Sequence, residues 1–559
     1  MAERDNDLQM IRDREGLLGK LFLRMDNDRR LYLLEEYRLV DEQGRPLGNV
    51  SNETMNDPRA FATRFIADLG AAGMQIEIEG TRNGEKMTDV ETSYIENFLR
   101  DMFTAIDERL ANRDIPDLHS YWADQISLRG RLAARCLIRQ NNGEVIPDVL
   151  PWDTRHLLYD VGTDGLEWVA PKTFRTAQQI RTEYGEPKKR LPKTGSVEVV
   201  DLWTKTDEKV WVNSGRVVKS DYVAHDLGYV PWVVQTQGTH TMLDIGYEEF
   251  RGESIYEATR KLFTSKNEFA SILKTLTMGS FFGALQYESE AGTGAQRPQR
   301  PPYGLRTTVP VEKGAGFKPM PINDIHNAAR MYFSMLESAI QRGSFTAVDY
   351  GNLQFPLSAR AISRLTQAHD DMGLSRFQAL ALGYLKLCRM ILLQYTAGNI
   401  RAKVGEQGAK TIYEPERLLG DFSIKFRFTS TSPEKLIAKM AMSESAKDLY
   451  SKDSIRRDFL HQENPTEERR KMAIEEAMQE HPELRWIDQA LILIEKDRLP
   501  EAKIIASKLG LTLRQLRAGV MASPAAPKQT PSRRQAAPLT GGETPAERTE
   551  LRAEAEAET

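Results

Sequence analysis

The sequence predicts an α+β protein, mainly α, and three observations carry that prediction. Apolar spacing is helical over most of the 559 residues, switches to a period of two between about 135 and 240, and turns helical again beyond Gly252. Two long apolar seams then flank a stretch crowded with glycine and proline. Apolar residues at 40% and charged residues at 28% are ordinary globular values, so the bulk is neither disordered nor fibrous. At roughly 150 residues per domain, the length predicts three or four folding units.

The elements follow in order. Leu17, Leu18, Leu21, Leu31, Leu34 and Tyr37 give a helix that breaks at the turn-forming residues Asp41 to Gly48. Asn56-Asp57-Pro58 is a helix start, with a capping residue followed by proline, and predicts a helix from Asp57 to Leu69. Further helices are predicted over Tyr94 to Arg109 and Ser120 to Arg135. Short strands rich in β-branched and aromatic residues follow, at Val145 to Trp152, His156 to Val161, Val197 to Trp203, Lys209 to Val212, Arg216 to Val223 and Val230 to Gln235. Six of the seven tryptophans lie in or beside this insert and are assigned to its core.

From Gly252 to Met278, the residues Ile255, Ala258, Leu262, Ser265, Phe269, Ile272 and Leu276 alternate spacings of three and four, a seam of coiled-coil type. Twelve glycines and prolines from Ser280 to Pro321 exclude a helix there. The second seam comprises Ile322, Ile325, Ala329, Tyr332, Leu336 and Ala339 and ends at Gly343. After a loop from Ser344 to Phe355, helices are predicted from Pro356 to about Gly373 and from Leu374 to Thr396. A short strand pair is expected around Ile412 and Phe422 to Phe428, then a polar helical region to about Leu516. Met521 to Thr559 has five prolines and no aromatic residue, so it is expected to be disordered.

The charge balance, 76 Lys plus Arg against 80 Asp plus Glu, is not that of a protein that grips nucleic acid through its phosphates. Cys136 and Cys388 stand far apart in apolar segments, which argues against a disulfide framework or a thiolate metal site. The charged N-terminal stretch lacks a signal-peptide core and no window suits a membrane helix, so the protein is expected to stay where it is made. No phosphate-binding loop is present, because the strings around Gly16 and Gly314 lack the Gly-Lys-Ser/Thr ending. Ser254 in Arg251-Gly252-Glu253-Ser254-Ile255 lacks the second glycine of a hydrolase elbow and reads as part of a helix start. His369-Asp370-Asp371 are adjacent on a helix, where they diverge rather than converge on a metal. No catalytic, cofactor-binding or metal-ligating residues are assigned, and the chain is read as not an enzyme.

This order of elements resembles the portal protein of tailed double-stranded DNA bacteriophages, the head-to-tail connector family. The strings Asn52-Glu53-Thr54-Met55-Asn56-Asp57-Pro58-Arg59-Ala60, Gly228-Tyr229-Val230-Pro231-Trp232 and Arg251-Gly252-Glu253-Ser254-Ile255 strengthen the likeness, which covers about Leu31 to Met521. The resemblance implies a wing over residues 1–251, a first stem helix over 252–278, a clip over 279–321 and a second stem helix over 322–343. It further implies a tunnel loop over 344–355, wing helices and short strands over 356–431 and a helical crown over 432–520, before the tail 521–559.

By the same resemblance the chain forms a ring of about twelve copies at one capsid vertex of the virion, made in the host cytoplasm. The ring serves genome packaging, head-to-tail joining and DNA ejection. Its partners are the terminase packaging motor, neck and adaptor proteins, the major capsid protein and duplex DNA passing without sequence specificity; no membrane is involved. The stem seam would be Ile255, Leu262, Phe269, Ile272, Leu276, Ile325, Tyr332 and Leu336. In the clip, Arg297, Arg300, Arg306, Lys313 and Lys318 exceed the local acids and suit an acidic partner. The tunnel loop, with Asp349, Tyr350, Gly351 and Asn352, has no Lys or Arg and would crowd DNA without holding it. The competing readings are a carboxylate-dependent nuclease of the packaging apparatus and a coiled-coil scaffold that forms no ring; mass under native conditions separates a ring from a monomer or dimer.

Overall fold

The structure is a computed structural model that describes residues 2–48, 50–82, 84–184, 191–192, 195–212, 216–217, 223–225, 227–238, 251–281, 285–288, 316–319, 326–344, 359–429, 465–495 and 498–514. It is mixed α+β and mostly helical, with four sheets of three, six, five and two strands. Two compact units divide it, Met1–Arg469 and Arg470–Thr559.

The first unit opens with α1 (Ala2–Leu17) and α2 (Gly19–Leu33). Next come α3 (Asp57–Gly70), β1 (Gly73–Arg82), β2 (Glu85–Lys86), α4 (Asp89–Ala111) and α5 (Leu118–Leu128). Thr88 and Glu91 close a full capping box at the head of α4, and the Asp117 carboxylate caps α5 by accepting from the Ser120 amide at 2.8 Å. The β-rich part contains β3 (Arg131–Asn141), β4 (Glu144–Pro151), β5 (Leu157–Gly162), β6 (Gly165–Thr176), α6 (Ala177–Tyr184), β7 (Ser196–Trp203), β8 (Asp207–Val212), β9 (Arg216–Val217), β10 (Val223–Ala224) and β11 (Trp232–Thr236). Then follow α7 (Arg260–Phe281), the paired strands β12 (Leu285–Glu288) and β13 (Gly316–Pro319), α8 (His326–Gly343) and α9 (Ala359–Ala397). The unit's last strands are β14 (Lys403–Val404), β15 (Thr411–Ile412) and β16 (Asp421–Thr429).

The main core gathers α3, α4, α5 and α9 against β1, β3, β4 and β16. Ile95, Phe98, Leu99, Met102, Ile106, Trp122, Leu387, Cys388 and Ile391 are almost wholly buried in it, each large side chain contributing about 1.5–3 kcal/mol. Gly383 lets α9 lie close on β3, since a Cβ there would fall 2.8 Å from Leu132 Cδ1. Both cysteines are free and buried. Five of the six tryptophans of the β-rich region are buried and Trp152 packs beside them, so they fill the core.

Several expectations are corrected. The helix expected to run to Arg135 stops at Leu128, and Arg131–Asn141 is a strand: Gly130 takes φ +67 just beyond α5, and β3 then pairs with both β4 and β11. β1 and β6 were not anticipated. Ile412 and Phe422–Phe428 do not pair with each other; β15 joins β14, whereas β16 pairs with β1 some 340 residues earlier, Thr81 opposite Asp421. α9 passes through Gly373 without a break, because one glycine costs a helix only about 1 kcal/mol and no proline stands beside it. The first rod begins at Arg260, not Gly252; residues 255–259 are turns.

In the second unit, helices Pro482–Glu495 and Leu499–Lys508 bury Ala490 and Ala506 with Ile487, Ile505, Leu511 and Leu513 packed around them. The tunnel loop beyond Ser344, residues 432–464 and the tail 521–559 lie outside the described residues, as does the clip apart from the end of α7, β12 and β13.

Candidate functional site

The two rods form an antiparallel helical hairpin. Phe269 of α7 meets Tyr332 and Phe333 of α8 at ring distances of 5.4 and 6.0 Å. Lys266 reaches Glu337 at 3.7 Å and lies over the Phe333 ring at 5.5 Å. At the base of the hairpin, Gly343 abuts Ala258 and Thr259, where any Cβ would fall 2.8 Å from Thr259 Cγ2.

The opposite side of α7 carries a polar ladder. Asn267, Ser271 and Thr275 stand four residues apart, and their side-chain oxygens accept from the backbone amides of Met55, Glu53 and Ser51 at 2.9, 2.9 and 3.0 Å. The match is geometric, since four helical residues rise about 6 Å and two extended residues span nearly the same distance. From the other edge of this strap, Thr54 and Asn52 side chains accept from the amides of Tyr37 and Leu39 at 2.9 and 3.0 Å. The string Asn52 to Asp57 therefore serves as a backbone strap along α7, with Lys266 holding Asp57 at 3.0 Å.

A charge cluster pins the base of the hairpin to α2. Asp28, 2% exposed, accepts from Ser254 Oγ at 2.7 Å and from Arg260 Nε and Nη2 at 2.6 and 2.9 Å. Glu253 completes the cluster, with Arg260 at 3.0 Å on one oxygen and Arg24 at 3.1 Å on the other. Burial would lower the pKa of Arg260, but the Asp28 and Glu253 carboxylates outweigh it and raise it. Arg376 nearby donates to the carbonyls of Glu253 and Met372 and lies over the Phe65 face, and burial, opposed by the Glu257 charge, pushes its pKa down to about 10. Backbone approach is tight here: Gly130 and Gly252 face each other with φ +67 and +74, and a Cβ on Gly130 would fall 2.1 Å from the Gly252 oxygen. Ser254, expected at a helix start, lies in irregular chain ahead of α7 and donates its hydroxyl to Asp28.

Between α2, the strap and α7 lies an open cleft of about 780 Å³, walled by Leu31, Leu34, Met55 and Pro58 and rimmed by Arg30, Glu35, Tyr37, Arg38 and Lys261. Burial, then the Glu268 charge, raise the pKa of Tyr37. Beyond α8, Met331, Tyr332 and Met335 are 69, 47 and 66% exposed. With about 100° of rotation per residue, the α7 residues lining the cleft point away from those that meet α8, and Met331 and Met335 point away from those that meet α7. An apolar ridge and an apolar-walled cleft therefore occupy opposite flanks of one hairpin.

The predicted seam is brought together only in part. Ile255 is buried in the main core ahead of α7, Leu262 packs on that core, Phe269 and Leu336 lie between the rods, and Ile272, Leu276 and Tyr332 are exposed. Ile325 lies outside the described residues, as do Asp349, Tyr350, Gly351 and Asn352 and the clip residues Arg297, Arg300, Arg306 and Lys313. Lys318 stands in β13 opposite Gln286. The sequence reading missed Asn267, Ser271, Thr275, Asp28 and Glu253; the one available signal was a polar residue at every fourth position of a helix otherwise read for its apolar ones. No group of three metal-ligating side chains occurs among the described residues, and no described helix is long and apolar enough to cross a membrane.

No family model and no curated protein matches the chain. It is distantly similar to solved structures of a gene transfer agent (GTA) particle. The neck of the empty GTA particle, computed with C6 symmetry, is 12% identical with a TM-score of 0.35, covering 72% of this chain and 89% of that chain. The neck of the native particle, computed with C12 symmetry, gives 11% and 0.35 over the same shares, and the native virion 11% and 0.34.

Proposed function

We propose that this chain is a portal-type subunit, a non-enzymatic member of a closed ring through which duplex DNA passes at the head-to-tail vertex of a phage-like particle. The reading rests on one observation, the exposed apolar ridge and the apolar-walled cleft on opposite flanks of the α7–α8 hairpin. A surface that fits a different surface on the same molecule makes a head-to-tail contact, and such contacts propagate into a ring when the rotation closes. In this arrangement Met331 and Met335 of one copy enter the cleft beside Met55 and Leu34 of the next. The order of helices, β-rich insert, rod, Gly/Pro-rich module and second rod in the sequence supports the same reading. Terminase, neck proteins and capsid are the partners this role requires, and no residue of the chain is assigned a catalytic task.

The test uses the double variant Met55→Cys, Met335→Cys, since the two native cysteines are buried. Native mass far above the 63.4 kDa monomer, with a ladder of covalent multimers on oxidation, is the expected result. Rings without the ladder would reject this contact alone, and a monomer or dimer at every concentration would reject the ring.

A further inference from the structure

We infer that a second cleft binds a phosphate-class anion. It measures about 250 Å³ and lies among the end of α1, β5, the head of β3, the end of β11, Arg251 and α9. Four cations, Arg14, Arg131, Arg251 and Lys386, line it against one carboxylate, Asp160. Clefts lined by one sign of charge on low-dielectric walls focus the field and concentrate counter-ions.

The cations are positioned from separate elements. Arg131, 3% exposed, donates to the phenol oxygen of Tyr159 at 3.1 Å and to the Arg251 carbonyl at 2.8 and 3.1 Å. Arg14 donates to the Tyr159 carbonyl at 2.9 Å and stands 3.6 Å from Asp160, which is itself half exposed. Lys386 gives one ammonium hydrogen to the Val234 carbonyl at 3.0 Å and has three to give. The Arg251 side chain is exposed. Donors converging from several directions suit a tetrahedral oxyanion, with guanidinium forks and a lysine point charge as its usual partners. The volume falls below that of pockets that hold drug-sized ligands, which restricts the occupant to a small group. This inference is independent of the ring reading.

The experiment titrates inorganic phosphate into the full-length protein by calorimetry, against chloride at matched ionic strength. Saturable binding is expected, weakened at least tenfold in Arg251→Ala, Lys386→Met; both side chains are exposed, and the variant's unfolding temperature without phosphate should match the parent's. Asp160→Asn should tighten binding. Absence of saturable binding, or equal affinity in the double variant, would overturn the assignment. Competition by a short duplex DNA that the double variant loses would identify backbone phosphodiesters as the source; phosphate binding indifferent to duplex would identify free phosphate or a phosphorylated small molecule. Either result supports the anion site.

Discussion

Removing the Asp28 carboxylate should unseat the base of the hairpin, and the size of the effect can be worked from its contacts. Asp28→Ala deletes three short hydrogen bonds and leaves Arg260, whose side chain is 19% exposed, with Glu253 at 3.0 Å and the long contact to Ser254 Oγ at 3.5 Å. Breaking a largely buried pair by taking one partner costs about 3–5 kcal/mol, or roughly two to three and a half orders of magnitude in the unfolding constant. Arg260→Met should cost a similar amount, because it leaves Asp28 buried with only Ser254. The double variant Asp28→Ala, Arg260→Met should cost less than the two singles together, by about 2–3 kcal/mol, since neither charge is then stranded. Urea unfolding followed by tryptophan fluorescence reads this directly: Trp168 and Trp211 pack with Leu21, Phe22 and Met25 of α2 and report its release. Strictly additive losses, or either single change within about 0.5 kcal/mol of the parent, would refute the claim that this cluster fastens α2 to the hairpin.

Two further outcomes follow from particular positions. Gly252→Ala meets both a left-handed backbone, φ +74, and the Gly130 oxygen at 2.5 Å, so it should cost about 2–5 kcal/mol, whereas Gly228→Ala, with φ +72 and open space around it, should cost only the backbone part of about 1–2 kcal/mol; equal midpoint shifts would contradict the close approach. His119 is stacked on Phe428 at 5.2 Å, and burial lowers its pKa below the ordinary 6.5 despite its contact with the Leu69 carbonyl. Below pH 6.5 the unfolded chain then binds more protons than the folded one, so stability should fall as pH drops from 6.5 through the lowered folded value and be fully present above 6.5. His119→Leu should flatten that part of a pH series of melting temperatures.

The two helical rods flanking a Gly/Pro-rich stretch and the helix start at Asp57 were legible because they rest on periodicity and local capping. The phase of the first rod was not. Its most buried positions within the helix are Phe263, Lys266, Asn267 and Ser271, and three of these are polar side chains that serve the strap or the Asp57 carboxylate, so an apolar count selects nearly the opposite side of the helix. Arg131 to Arg135 reads as helix because Leu, Ala and Arg favour it, and only the neighbouring strands β4 and β11 override that preference. β1 escaped notice because what makes Gln75 to Ile78 a buried strand is a partner at the far end of the chain. The site shares this property: Asp28, Ser254 and Arg260 meet across more than 200 positions, and no local pattern connects them.

That distant partner sets a timetable for synthesis. When β1 leaves the ribosome it is an open sheet edge, and β16 follows only some 340 residues later, roughly 20 to 70 seconds at ordinary elongation rates. Throughout that interval Gln75, Ile76, Glu77 and Ile78, all buried in the finished fold, present unsatisfied backbone to any neighbouring strand. The hairpin with its ridge and cleft emerges inside the same interval, between the two halves of a sheet that has not yet closed. In the ring proposed above, a copy would offer a finished body to its neighbours only after residue 429 has been made, so such a ring would be built from chains completed at least that far.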